Sequence, residues 1–360
     1  MSSSNITNLN CLFIENLLLN PLFGLITWFQ LIILFILFTS SAVLFRQFSK
    51  AKIPLHSNLT LLVFNVIIFY LINAAFWAAN LIRYKILVYT YSDNCNLLTP
   101  VWLAVVLIAP NYFYLIANTC IHFLIMLERV RATIFVRHYE TEGTRFTTGG
   151  IIVVVINNFV IQSNLTGIWI LSISYTIYII CSALADNDTF GQPLGIVALT
   201  SKYNATIILY SFYATLFICA VITFCDFLVY RANKRIRRKS RCENPDIPST
   251  YSLSANYQLR ENIFSMRLIL PLDAAYTIFN GIYMTGAAIL RIHRNEMYVE
   301  QYTSIYYVFM TFPLLHSAIT LLIYICFVRR IKEKRILKIQ PLDRSGQLYF
   351  NELRKQWNTK

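Results

Sequence analysis

The sequence is poor in charge. Only 13% of its 360 residues are Asp, Glu, Lys or Arg, about half the share of a soluble globular domain. Acids are the scarcer sign, 17 against 31 basic residues, which leaves a net charge of +14. Ten glycines and ten prolines are too few for a collagenous or low-complexity chain. No Gly-rich phosphate loop, paired His-Glu metal motif or nucleophile elbow occurs, so nothing points to an enzyme. No Cys/His spacing suits a metal ion, and neither a metal nor another cofactor is expected.

Apolar residues make up 57% of the chain, and they come in long runs. A helix needs about 20 of them to cross a bilayer. Seven runs qualify: 22–45, 55–82, 100–127, 149–181, 205–230, 263–290 and 303–328. The expected fold is an all-α, seven-transmembrane helix bundle, with residues 1–21 as an extracellular N-terminus and 329–360 as a basic cytoplasmic tail. Nothing basic precedes the first run and no small-residue cleavage site follows it, so it reads as a signal anchor.

Orientation follows from the basic residues. Segments 46–54, 128–148, 231–262 and the tail hold 25 of the 31, whereas 1–21, 83–99, 182–204 and 291–302 hold 5. Arg267 is left over, near the start of the sixth run. This split puts the N-terminus outside and the C-terminus in the cytoplasm. The positive charge is then a topology signal, and nucleic acid drops out as a partner. Residues 149–185 are long enough for two helices, but both flanking inner segments, 128–148 and 231–262, are basic. Only an even number of crossings separates them, so the stretch is one helix.

Sequons at Asn5 and Asn187 fall in exterior segments, where glycosylation is expected. Of the eight cysteines, Cys11, Cys95 and Cys181 can reach the oxidising side. A Cys95–Cys181 bridge would tie the third and fourth runs together. Three candidates leave one over, so the pairing stays open.

Polar residues inside the runs mark the inward face, because each is costly against lipid. Asn111, Tyr114, Asn118 and His122 form one helical stripe in the third run. Asp273, Tyr276, Asn280 and Tyr283 do the same in the sixth, and Asn65, Asn73, Trp77 and Asn80 roughly so in the second. Singly, each reads as an interhelical hydrogen-bond partner worth about 0.6 kcal/mol. Together they describe a polar interior, with Trp77, Asn111, Tyr114, Tyr276 and Asn280 as ligand-pocket candidates in its outer half. Asp273 reads as the only acid well inside a run, two residues after Pro271, and is a switch candidate. So is the Glu128-Arg129 pair at the inner end of the third run, where opposite charges can hold a closed state. The plainer reading of that pair is positive-inside flanking.

Glu128-Arg129-x-x-Ala132-Thr133, followed by Tyr139-Glu140, resembles the third-helix end of nematode serpentine chemoreceptors of the Sra superfamily. Tyr251 to Asn262 is similar to that group's motif before the sixth helix, and His56-x-Asn58-Leu59 to its second-helix opening. Tyr349-Phe350-x-x-Leu353-x-x-x-Trp357 in the tail looks most like class epsilon, Sre, and its spacing fits a short amphipathic helix. The resemblance implies a G-protein-coupled receptor in the plasma membrane of chemosensory neurons, in sensory cilia. It would bind a small environmental molecule and a heterotrimeric G protein, with a dimer left open. Glu128, Arg129, Tyr139 and Glu140 would then serve coupling. The chain departs from rhodopsin-like receptors: no Tyr follows Arg129, and the sixth and seventh runs lack Cys-Trp-x-Pro and Asn-Pro-x-x-Tyr. The rival reading is a transporter or ligand-gated channel for a small molecule. Against a transporter, the sequence shows no internal repeat of broken helices.

Overall fold

The computed structural model describes residues 3–50, 57–134, 150–242 and 253–358, with side chains described for 10–47, 59–134, 165–238, 259–260, 262–294 and 296–330. The chain is nearly all helical: α1 (Ser3–Leu19), α2 (Pro21–Lys50), α3 (Ser57–Thr90), α4 (Val101–Ile134), α5 (Gly150–Leu184), a single turn α6 (Asn187–Phe190), α7 (Ala205–Cys242), α8 (Leu253–Ile292) and α9 (Val299–Asn358). Short 3-10 turns lie at Asn94–Leu97 and Arg294–Glu296.

Among the described residues, six helices are long and apolar enough to cross a membrane: Pro21–Gln47, Leu59–Thr90, Val101–Ile134, Leu165–Leu184, Ala205–Arg238 and Val299–Arg330. The remaining expected run, 263–290, lies within the 40-residue α8, where Arg267, Asp273 and Asn280 dilute its apolar content. The chain is a multi-pass membrane protein. Beyond Arg330 the backbone of α9 stays helical to Asn358 without a break.

The helices close into a ring. α2 packs on α3 and α9, α3 on α4, α7 on α8, and α8 on α9. α4 sits in the middle and touches α3, α5, α7 and α8. Aromatic residues fill the seams: Phe23 meets Tyr307 at 4.9 Å between α2 and α9, and Phe69 meets Trp169 at 5.0 Å between α3 and α5. Such pairs are worth roughly 0.5–1.5 kcal/mol beyond the area they bury. The outer surface is apolar too, with Leu25, Phe35, Trp102, Phe217 and Phe224 exposed, as suits a surface solvated by lipid.

Local chemistry sets the first helix boundary. Asn20 stands between α1 and α2, and its side-chain oxygen accepts from the backbone N–H of Leu22 at 2.9 Å. Pro21 follows at the first helical position, where a missing N–H costs nothing. The N-terminal segment is therefore a helix turned back by a cap. Its inward residues Cys11, Ile14, Leu17 and Leu18 are buried.

That helix corrects the disulfide expectation. The bond joins Cys11 to Cys95, whereas Cys181 is a free, exposed thiol. α1 lies on the 3-10 turn at Asn94–Leu97 and so delivers Cys11 to Cys95. Cys181, near the end of α5, points away.

The contacts around the bond build a cap over one end of the bundle. Glu15 accepts from Asn94 at 2.5 Å and from the Tyr91 hydroxyl at 3.4 Å. Thr99 and Leu194 exchange two backbone hydrogen bonds of 2.8 Å, an isolated antiparallel bridge. Arg83 donates to Thr99 Oγ1 at 2.7 Å, and the Val197 N–H donates to the Tyr84 hydroxyl at 3.2 Å. Phe190, Leu194, Val197 and Leu199 are buried beneath.

Candidate functional site

Because α4 touches most of the ring, its polar stripe becomes the axis of the interior. Three polar groupings follow that axis.

In the capped half, Trp77 on α3 donates its indole N–H to Gln30 Oε1 on α2 at 3.1 Å. The Gln30 amide then donates to the Tyr307 carbonyl at 2.7 Å and to Thr311 Oγ1 at 3.0 Å, both on α9. This cluster joins three helices. Asn111 is half-buried and makes no hydrogen bond among the described residues.

At mid-depth, Tyr114 meets Ser317 on α9 at 3.3 Å. The Ser317 hydroxyl already donates to the Pro313 carbonyl at 3.0 Å, so Tyr114 is the donor. The same logic applies one turn on. Thr119 donates to the Leu115 carbonyl, which leaves the Tyr276 hydroxyl on α8 to donate to Thr119 across 3.0 Å. The Tyr276 ring stacks on the His122 imidazole, centroids 4.7 Å apart and planes within 8°. His122 Nδ1 pairs with Asp273 Oδ1, both side chains almost fully buried. His316 on α9 approaches Tyr276 from another side, at 5.2 Å. Asn280 donates to the Tyr276 carbonyl at 3.0 Å.

Asp273 is not the only acid inside the bundle, contrary to the expectation. Asp226 on α7 is fully buried. It interacts with Asp273, His122 and Arg129. It stands four residues before Tyr230, the end of the fifth run, and so looked like a flanking residue. The helix runs on to Cys242, which leaves Asp226 well inside.

At the far end, Arg129 is 2% exposed despite its charge. One guanidinium nitrogen pairs with Glu128, and the other donates to Asn262 Oδ1 on α8 at 3.1 Å. One turn on, Thr133 donates to the Arg129 carbonyl at 2.8 Å and accepts from Asn233 on α7 at 2.9 Å. The ends of α4, α7 and α8 away from the cap are thus held by two polar contacts. A charge this buried is held by partners, and here they tie α4 to α8.

The sequence-derived residues divide accordingly. Tyr114, Tyr276, Asn280, Asp273, Glu128 and Arg129 gather along the α4–α8–α9 axis, Trp77 joins the Gln30 cluster, and Asn111 stays apart. Tyr139 and Glu140 lie outside the described residues, as does the Asn5 side chain. Asn187 is exposed on the capping loop. Gln30, Thr119, Asn233, His316 and Ser317 were missed. Stripe counting in the seventh run does not reach His316: Thr303, Tyr307 and Thr311 are spaced 4 and 4, but His316 lies nine residues past Tyr307, half a turn off that face.

The chain matches the family model described as Sre G protein-coupled chemoreceptor over residues 188–342. It is 24% identical over 249 residues to serpentine receptor class alpha-39 of Caenorhabditis elegans, an alignment covering 68% of this chain. The match spans 59% of that relative's length.

Proposed function

We propose that this chain, a nematode serpentine chemoreceptor of the Sre-like kind, binds a small environmental molecule at its capped end and couples to a heterotrimeric G protein at the other. Receptors of this kind are not enzymes. The observation that carries the reading is a series of three polar contacts between α4 and α8: Thr119 with Tyr276, His122 with Asp273 and Arg129 with Asn262. A molecule that shifts α8 near Tyr276 also loads the Arg129–Asn262 contact at the opposite end. Such a molecule needs only to bind one packing of α4 and α8 more tightly than the other.

In this reading Trp77, Asn111, Tyr114, Tyr276 and Asn280 shape the ligand site. Asp273, Glu128 and Arg129 form the switch, and Tyr139 and Glu140 extend the coupling surface. The N-terminus and Asn187 face outside, with Asn5 and Asn187 as glycan acceptors, and the C-terminus faces the cytoplasm. The cysteine bridge between Cys11 and Cys95 supports this, because disulfides persist on the oxidising side. The site of action is the plasma membrane, in the sensory cilia of chemosensory neurons.

The test is a panel of small molecules on cells expressing the chain, read by calcium or cAMP, beside Arg129→Ala at matched surface level. The unaltered chain responds to at least one compound and the variant to none. Full signalling by Arg129→Ala would reduce Arg129 to a flanking cation. An N-terminal epitope that antibody reaches only after permeabilisation would sink the topology and the receptor reading with it.

A further inference from the structure

Between α7 and α8, at the end opposite the cap, lies a cleft of about 180 Å³ lined by Tyr230, Lys234, Arg237, Arg238, Ile263 and Arg267. Four of the six are cations. None of the four has a carboxylate partner among the described residues. Tyr230, Lys234, Arg237 and Arg238 are spaced 4, 3 and 1 on α7, so one helical face presents them. Ile263 and Arg267 answer from α8 one turn apart.

Four uncompensated like charges around one small space repel each other. An anion removes that cost and gains charge-assisted hydrogen bonds from the guanidinium forks. We propose that this cleft binds the phosphorylated headgroup of an anionic lipid of the cytoplasmic leaflet. The orientation rests on the topology of the receptor reading; the cleft itself does not.

Three features choose this occupant. The space holds a phosphate group and not a helix. It opens where the apolar faces of α7 and α8 give way to basic ones, which is headgroup depth, and juxtamembrane Lys and Arg clusters attract anionic lipid there. A phosphomonoester carries a charge of about −1.5 to −2, a better match to four cations than a single carboxylate. The neighbours give the site a consequence. Ile263 follows Asn262, which holds Arg129. A headgroup bridging Arg267 to Arg237 and Arg238 clamps α7 to α8 beside that contact, and so favours the packing that the contact holds.

The test uses the full chain in nanodiscs of neutral phosphatidylcholine, doped either with phosphatidylinositol bisphosphate or with phosphatidylserine at equal total charge. Binding is read with a headgroup-labelled phosphatidylinositol bisphosphate probe. Arg237→Gln with Arg238→Gln weakens it about 25-fold, at roughly fivefold per surface cation, and Arg267→Gln about fivefold. The control Arg329→Gln with Arg330→Gln, two exposed cations on α9 outside the cleft, leaves it within twofold. Equal loss in the control, or no loss in the cleft variants, overturns the proposal. Equal displacement of the probe by phosphatidylserine overturns the phosphorylated headgroup. Soluble inositol trisphosphate binding as tightly as the lipid overturns the membrane source. Because the readout is binding and not signalling, these results stand apart from the ligand panel.

Discussion

Arg129 donates to the side-chain oxygen of Asn262 at 3.1 Å, and this one bond joins the central helix to α8 at the end away from the cap. Arg129 also keeps Glu128 beside it. Its guanidinium stays compensated if Asn262 is removed.

Asn262→Ala therefore releases α8 without stranding a charge. Interhelical hydrogen bonds in membranes average about 0.6 kcal/mol, a factor of about three in an equilibrium between two packings. Ligand-free signalling should rise about threefold at unchanged surface level, read as basal cAMP or calcium. Unchanged basal signal would detach this contact from the switch.

His122 and Asp273 are each other's partners in the bundle centre. Asp273→Asn takes away the carboxylate that His122 Nδ1 pairs with and leaves Asp226 as the acid near the ring, which weakens the contact between α4 and α8. Ligand dose–response or basal activity should shift, together with a lower unfolding temperature. Asp226→Asn is the contrasting case. Asp226 shares the bundle centre with Asp273, and a neutral amide of the same shape keeps that neighbourhood filled without a second buried acid. Its unfolding temperature in detergent should hold or rise.

Cys11 and Cys95 should appear as a cross-linked peptide in a non-reduced digest, whereas Cys181 should take up maleimide on the intact protein. Cys11→Ser with Cys95→Ser opens a loop of 84 residues, a loss of about 2–4 kcal/mol of stability. Cys181→Ser should change nothing measurable.

Asp186 sits in the capping loop. Burial pushes its carboxyl pKa up, but the Lys202 backbone N–H, the Thr189 hydroxyl and the Lys202 charge outweigh burial and hold it below the usual value. A lowered folded pKa contributes stability that is present above the unfolded value, about 3.9, and is lost as pH falls through the folded one. Hydrogen-exchange protection in residues 186–204, corrected for the intrinsic pH dependence of the rate, should hold steady from neutral pH to about pH 4, then fall below it. Asp186→Asn should be less protected at neutral pH and lack that step.

The bundle was legible because its signal is blunt: a crossing helix needs a long apolar run whatever its partners. The inward stripes of α4 and α8 were legible for a related reason, since lipid penalises each polar residue that strays. Cysteine pairing carries no such local signal. It depends on where α1 lies, and the α1 residues look like an ordinary exterior segment until Asn20 and Pro21 are seen to cap the next helix. Asp226 escaped because the fifth apolar run ends at Tyr230 while the helix does not. Gln30 escaped because one amide in the first run shows no periodicity, and its three partners come from two distant helices.

The cap also sets a clock. Phe190, Leu194, Val197 and Leu199 are packed beneath the loop that the Thr99–Leu194 bridge and the Cys11–Cys95 clasp restrain. On the proposed reading, a molecule arriving from outside would reach Trp77 or Asn111 by way of that loop, and its entry would wait on the loop lifting. Entry and escape then share one opening rate, which bounds both association and residence time. A receptor gated this way averages concentration over its opening interval: it answers a sustained stimulus and filters out a brief one, and reduction of the clasp should quicken both edges of its response.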